Sequence, residues 1–109
     1  MSKNSASLRL PRKVISNMQI VGQQIRLARK KRGLSIVEMA KRAQCSELTV
    51  MRIEKGNPAV SFGIYVRVLF GLGLDEDILL IARKDAVGDM YVNRKLLHTK
   101  PEEDYDVFD

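Results

Sequence analysis

The sequence predicts an all-α fold, and two observations carry that prediction. Apolar residues recur at three- and four-residue spacing rather than alternating, and Ser35 and Ser46 stand directly ahead of two such runs, where helix N-caps belong. A chain of 109 residues is long enough for one hydrophobic core and short for two, so a single domain with tails is expected. Aliphatic side chains dominate the apolar fraction, with no Trp and only three Phe and three Tyr.

Residues 1–16, with Ser2, Ser5, Ser7, Pro11 and scattered basic side chains, read as a basic flexible arm, in which Leu8 to Leu10 and Val14-Ile15 form a short strand if a partner offers an edge. From Met18 the spacing becomes helical. Met18, Val21, Ile25 and Ala28 make the inner face of a first helix, Arg29 to Arg32 complement the dipole of its last turn, and Gly33 ends it. Ser35 caps a second helix that turns Met39, Ala40 and Ala43 inward. Ser46 caps a third, with Val50 and Ile53 inside, stopped by Gly56-Asn57-Pro58. A fourth follows Ser61 and buries Phe62, Tyr65, Val68, Leu69 and Leu72 before Gly71 and Gly73 close it. Asp75 caps a fifth that carries Ile78, Leu79 and Ala82. The expected domain thus covers 17–83. In the remaining extension, 84–109, residues 90–92 suggest a short strand and 94–98 a helical turn, and the acidic run from Pro101 is expected to be disordered when alone.

Charge is unevenly spread. All nineteen Lys and Arg fall within residues 1–100 against eight Asp and Glu there, whereas the last eight positions hold five acidic residues. So basic a body suits a polyanion such as nucleic acid, although a Lys-rich solvated face has the same composition. Cys45 is the only cysteine and His98 the only histidine, so neither a disulfide within the chain nor a zinc cluster is expected, and both residues read as structural or incidental. No cofactor and no enzymatic activity are expected either, since nucleophile-base pairs, phosphate loops and paired carboxylates in a recognisable frame are missing. The N-terminal residues lack a signal peptide's apolar run and no stretch approaches bilayer length, so a cytoplasmic protein is expected.

The short second and third helices, joined by a turn of three or four residues, carry the motif. Such a pair cannot bury itself, but on neighbouring helices it holds one helix out for a major groove about 12 Å wide. The residues Leu34-Ser35-Ile36-Val37-Glu38-Met39-Ala40, then Cys45-Ser46, then Arg52-Ile53-Glu54-Lys55-Gly56-Asn57-Pro58 resemble the Xre, or Cro/C1-type, helix-turn-helix family over roughly residues 18–82. The resemblance implies a five-helix, lambda-repressor-like domain that binds double-stranded DNA. It also implies that Arg29 and Glu54 pair across the first and third helices, the alternative being two unrelated surface charges. The family's phosphate-gripping Gln is replaced here by Ile36, and its frequent turn Gly by Gln44.

The DNA-facing candidates are Gln23, Gln24, Ser35, Ser46, Glu47, Leu48, Thr49, Arg52 and Lys55. Gln23 and Gln24, read as lying near the start of the first helix, offer amides to phosphate or are ordinary exposed helix formers. Glu47 either accepts from cytosine N4 or simply places a favourable charge in a first turn. Arg52 reaches guanine or phosphate and Lys55 meets the backbone, unless each is merely solvated. Ile64 and Val66 are candidates for an apolar surface patch.

One such module buries little surface, so a homodimer on an operator with two half-sites about 34 Å apart is expected, with the fourth and fifth helices and residues 84–98 as its surfaces. In plan, a compact domain with an extension, the chain is similar to HipB-like antitoxins, which implies a HipA-like kinase toxin as partner. Tyr105, Val107 and Phe108 between acids would anchor in a basic groove, or the tail merely solubilises. The expected function is therefore a transcriptional repressor, the antitoxin and autorepressor of a type II toxin-antitoxin pair. The alternatives are a stand-alone or phage-type repressor and a protein-binding adaptor that keeps the same fold.

Overall fold

The computed structural model describes residues 9–96, which are helical throughout their regular elements, with no strand among them. The chain divides after Ile78 into two units. Elements in order are α1 (Arg12–Lys31), α2 (Ile36–Ala43), α3 (Glu47–Glu54), α4 (Phe62–Gly71), a 3-10 helix (Asp75–Leu80) and α5 (Ala86–Leu96).

In the first unit α2 is central, packing on both α3 and α4, while α1 packs on α3. Met39, Val50, Ile53 and Val68 are fully buried, with Ile25, Leu34, Ala40, Ala43, Tyr65 and Leu72 completing the core. The two alanines of α2 put no bulk between it and its neighbours. Each short helix is capped: Ser35, Ser46 and Ser61 accept from the backbone amides of Glu38, Thr49 and Ile64. Glu38 returns the favour to the Ser35 amide at 2.9 Å, closing a capping box, and those bonds from Ser35 hold the Glu38 carboxyl below its ordinary pKa.

Several sequence expectations change. Residues 12–16, read as part of a flexible arm, are the opening turns of α1. Pro11 sits at the N-cap with φ −54°, and the start was obscured because Arg12 and Lys13 oppose the helix dipole instead of marking it. On the inner face of α1, Ile25 is buried and Met18 and Ala28 pack against the core as expected, but Val21 is exposed and Gly22 and Arg29 face inward in addition. Phe62 stays 61% exposed, since Tyr65, Val68 and Leu72 already fill the inner side of α4.

Further changes lie after α4. The expected fifth helix is a 3-10 helix that buries none of its residues, Leu79 is exposed, and Ala82 takes a left-handed φ of 57°. In the second unit residues 86–96 form a continuous helix, α5, where a short strand over 90–92 was expected. Asp85 accepts from the Gly88 amide at 2.9 Å and starts that helix, a signal stronger than the β propensity of Tyr91 and Val92.

The inward position of Gly22 has a steric cause. A Cβ at Gly22 would lie 2.6 Å from the carbonyl oxygens of both Ile53 and Glu54, and one at Gly56 would lie 2.5 Å from the Met18 carbonyl oxygen. Two glycines therefore let the backbone of α1 touch the backbone that ends α3. Gly56 is doubly constrained, because its φ is +76°. Gly22→Ala should lower stability by about 1–3 kcal/mol, since backbone cannot move aside cheaply. Gly63→Ala, in a helix with nothing within 4 Å, should instead be neutral or raise stability by up to about 1 kcal/mol. Urea unfolding midpoints of the two variants test the contrast, and equal effects would refute the close-approach account.

Candidate nucleic-acid interface

The connection between α2 and α3 is three residues, Gln44, Cys45 and Ser46. Gln44 adopts the left-handed conformation, φ 53° and ψ 48°, at the C-cap of α2. A non-glycine residue there costs on the order of 1 kcal/mol, and the surroundings offset it. The Gln44 amide is 3.2 Å from the Lys41 carbonyl, the Cys45 amide donates to the Ala40 carbonyl at 3.0 Å, and Arg67 of α4 donates to the Gln44 carbonyl at 3.2 Å. Cys45 is half-buried and packs against the core, and its removal from water raises the thiol pKa, outweighing nearby Arg67.

Arg29 links three parts of the unit. Its Nε lies 2.6 Å from Glu54 Oε2, its Nη2 donates to Glu54 Oε1 at 3.1 Å, and its Nη1 donates to the Leu34 carbonyl at 2.8 Å. Arg29 is 8% exposed and Glu54 9%. The forked contact ties α1 to the C-terminal end of α3 and to the loop before α2. Behind Glu54, the Tyr65 hydroxyl donates to the Asn57 carbonyl at 2.8 Å, fixing the strand of chain that leaves α3. No buried side-chain polar atom among the described residues lacks a partner.

The outer face of α3 presents Glu47, Leu48, Met51, Arg52 and Lys55, all exposed. Thr49 is half-buried. Its hydroxyl lies 2.8 Å from Ser46 Oγ, which also accepts from the Thr49 amide at 3.0 Å, so both hydroxyls are committed to the cap. Ser35 is likewise held in its capping box. Ile36, directly after the cap of α2, packs against the core.

Gln23 and Gln24 are exposed, but the early start of α1 places them well inside that 20-residue helix. The expectation that they sit near a helix N-terminus is therefore corrected, and no dipole aids them in holding an anion. Gln24 instead borders a shallow depression with Leu27, Ala28, Lys31, Arg32 and Leu74. Ile64 and Val66 are half-buried, Ile64 against the core. Tyr105, Val107 and Phe108 lie outside the described residues.

Sequence reading missed Gly22, Gly56, Arg67 and the Tyr65 hydroxyl as parts of this scaffold. Only Gly56 carried a signal, the Gly-Asn-Pro stop, and that marks a turn without showing what approaches it. No group of three or more His, Cys, Asp or Glu among the described residues is placed to hold a metal ion, and no helix there is long and apolar enough to cross a membrane.

Removal of one partner of the buried pair should be severe. Arg29→Met strands a buried carboxylate and should cost about 3–5 kcal/mol, whereas Arg29→Met with Glu54→Leu should recover much of the loss. Thermal unfolding of the single and double variants measures this, and a double variant no better than the single would contradict it.

Comparison with curated protein sequences gives no match. A family described as a helix-turn-helix domain does match, over residues 20–79, a span that runs from the part of α1 facing α3 through the whole α2-turn-α3 unit and α4. With the capped helix pair, the three-residue turn and the buried Arg29–Glu54 tie inside that span, the chain belongs to the helix-turn-helix domain family, of the Cro/C1 type.

Proposed function

We propose that the protein is a sequence-specific transcriptional repressor that binds double-stranded DNA as a homodimer. The observation that carries this reading is the exposed outer face of α3, held out by a scaffold with its buried polar groups satisfied. A helix of that kind fits the major groove, and a body rich in Lys and Arg supplies the sequence-independent attraction. Arg52 and Lys55 are the cations on that face, Arg52 for a guanine edge or phosphate and Lys55 for the backbone. Glu47 is suited to cytosine N4. Two copies on half-sites about 34 Å apart give the surface that one module lacks. The chain acts as a binding protein without catalysis, in the cytoplasm.

Within that reading the protein is the antitoxin of a type II pair and represses its own operon. Support comes from the second unit, where Leu79, Leu80, Ile81, Val87, Met90 and Tyr91 are all exposed, more apolar surface than so short a segment leaves uncovered without a use. The acidic end with Tyr105, Val107 and Phe108 adds an anchor for a basic groove, as on a HipA-like kinase.

Affinity for the DNA upstream of its own gene should fall linearly on a log-log plot against salt. Arg52→Ala should lose about 1–3 kcal/mol of discrimination between that DNA and a scrambled duplex while keeping its melting temperature. Fluorescence anisotropy titrations measure both, and an Arg52→Ala variant that discriminates as well as the parent would remove Arg52 from the reading face. Truncation after Lys100 should abolish capture of the product of the adjoining gene without changing DNA binding. Intact capture by the truncated chain would count against the anchor.

A further inference from the structure

We infer that Leu48 and Met51 read thymine methyl groups, so that each operator half-site carries thymine opposite the N-terminal half of α3. The inference rests on the DNA-binding reading above and specifies what its central face recognises.

Leu48 is 49% exposed and Met51 43% exposed, although both lie in a helix whose inner side is filled by Val50 and Ile53. Three residues apart, they share one side of α3, with Arg52 one helical turn beyond Leu48. The hydroxyls at this end of the helix are drawn toward its own backbone: Ser46 Oγ and Thr49 Oγ1 are 2.8 Å apart, and Ser46 Oγ takes the Thr49 amide. What projects from the first turns of α3 is therefore one carboxylate, Glu47, and two apolar chains.

The major groove offers one apolar group, the C5 methyl of thymine, while guanine, adenine and cytosine present only donors and acceptors along that edge. Leu48 or Met51 against a donor or acceptor would strip it of water without replacing its hydrogen bond. Against a methyl group the same side chain buries apolar surface on both sides. A protein surface fits less well. On α3 the apolar patch stops at two residues and is flanked by Glu47, Arg52 and Lys55, whereas a stable protein interface takes about 800 Å² from each partner.

The test begins by selecting bound duplexes from a random-sequence pool with the full chain. Each thymine of the tightest duplex is then replaced singly by uracil, which removes only the methyl group, and affinity is measured by anisotropy for the parent, Leu48→Ala and Met51→Ala. One or two positions per half-site should weaken the parent about fourfold on replacement. At each such position one of the two variants should bind the thymine and uracil duplexes equally. A parent indifferent to uracil at every position overturns the inference and assigns the apolar pair to another occupant, a protein surface included. Variants as sensitive as the parent overturn it too, because the methyl would then be read by other residues. Failure to select any preferred duplex is a separate result, which removes the DNA-binding reading itself. Should an alanine variant fold poorly, Leu48→Gln or Met51→Gln at the same exposed position takes its place in the uracil series.

Discussion

The contact between α1 and the end of α3 is the constraint on which the first unit depends. Gly22 and Gly56 bring the two backbones together, and Arg29 locks the result by spending its guanidinium on Glu54 and on the Leu34 carbonyl. These contacts fix different things. The glycines set distance, because any Cβ would collide with carbonyl oxygens, and the forked ion pair sets rotation, because its geometry is met at one orientation only. A buried pair of this kind is poor evidence for net stability, since desolvation offsets most of the attraction. Its physical value here is angular: α3 ends where Glu54 can meet Arg29, and the outer face of α3 follows from that.

The other end of α3 is set by a different economy. A three-residue turn must reverse the chain between two helices, and Gln44 takes the left-handed conformation to do it. The cost is offset by bonds from both sides of the turn, with Arg67 reaching in from α4. Ser46 then begins α3 immediately. Because α2 is only eight residues and α3 only eight, neither would be helical alone, and packing on Met39, Val50 and Ile53 supplies what propensity cannot.

Much of this was legible from sequence, for identifiable reasons. Ser35, Glu38, Ser46 and Gly56 announce local structure through hydrogen bonds and backbone angles that depend on near neighbours, so the α2-turn-α3 unit could be read with its core residues Met39, Ala40, Ala43, Val50 and Ile53. Where the decisive partner was distant in sequence, residue patterns alone failed, and the Arg29–Glu54 pair was reached only through the family resemblance. Val21 has the hydrophobicity of an inward residue and Gly22 does not, yet Gly22 is inside because only a missing side chain admits the α3 carbonyls. Phe62 sits outside because its turn of α4 has nothing left to cover. Gln23 and Gln24 were misplaced along α1 because Arg12 and Lys13 gave its start no favourable charge. Residues after Leu74 were hardest, since side chains that stay exposed leave no periodic trace of an inner face.

The same separation of local from distant bears on recognition. The short polar side chains at the starts of α2 and α3 are engaged in holding those helices, Ser35 with Glu38 and Ser46 with Thr49. Short hydroxyls that accept a cap bond stay close to their own backbone, and turning one away would break the cap, at about 1 kcal/mol each. Discrimination under the repressor reading therefore falls to longer side chains that the scaffold leaves alone, Glu47, Leu48, Met51, Arg52 and Lys55. Those five can be exchanged without touching a buried contact, whereas Ile36 packs on the core and position 44 must take the left-handed backbone of the turn. A fold built this way can change what it binds by altering one face of one helix, and its departures from the family at 36 and 44 belong to the scaffold.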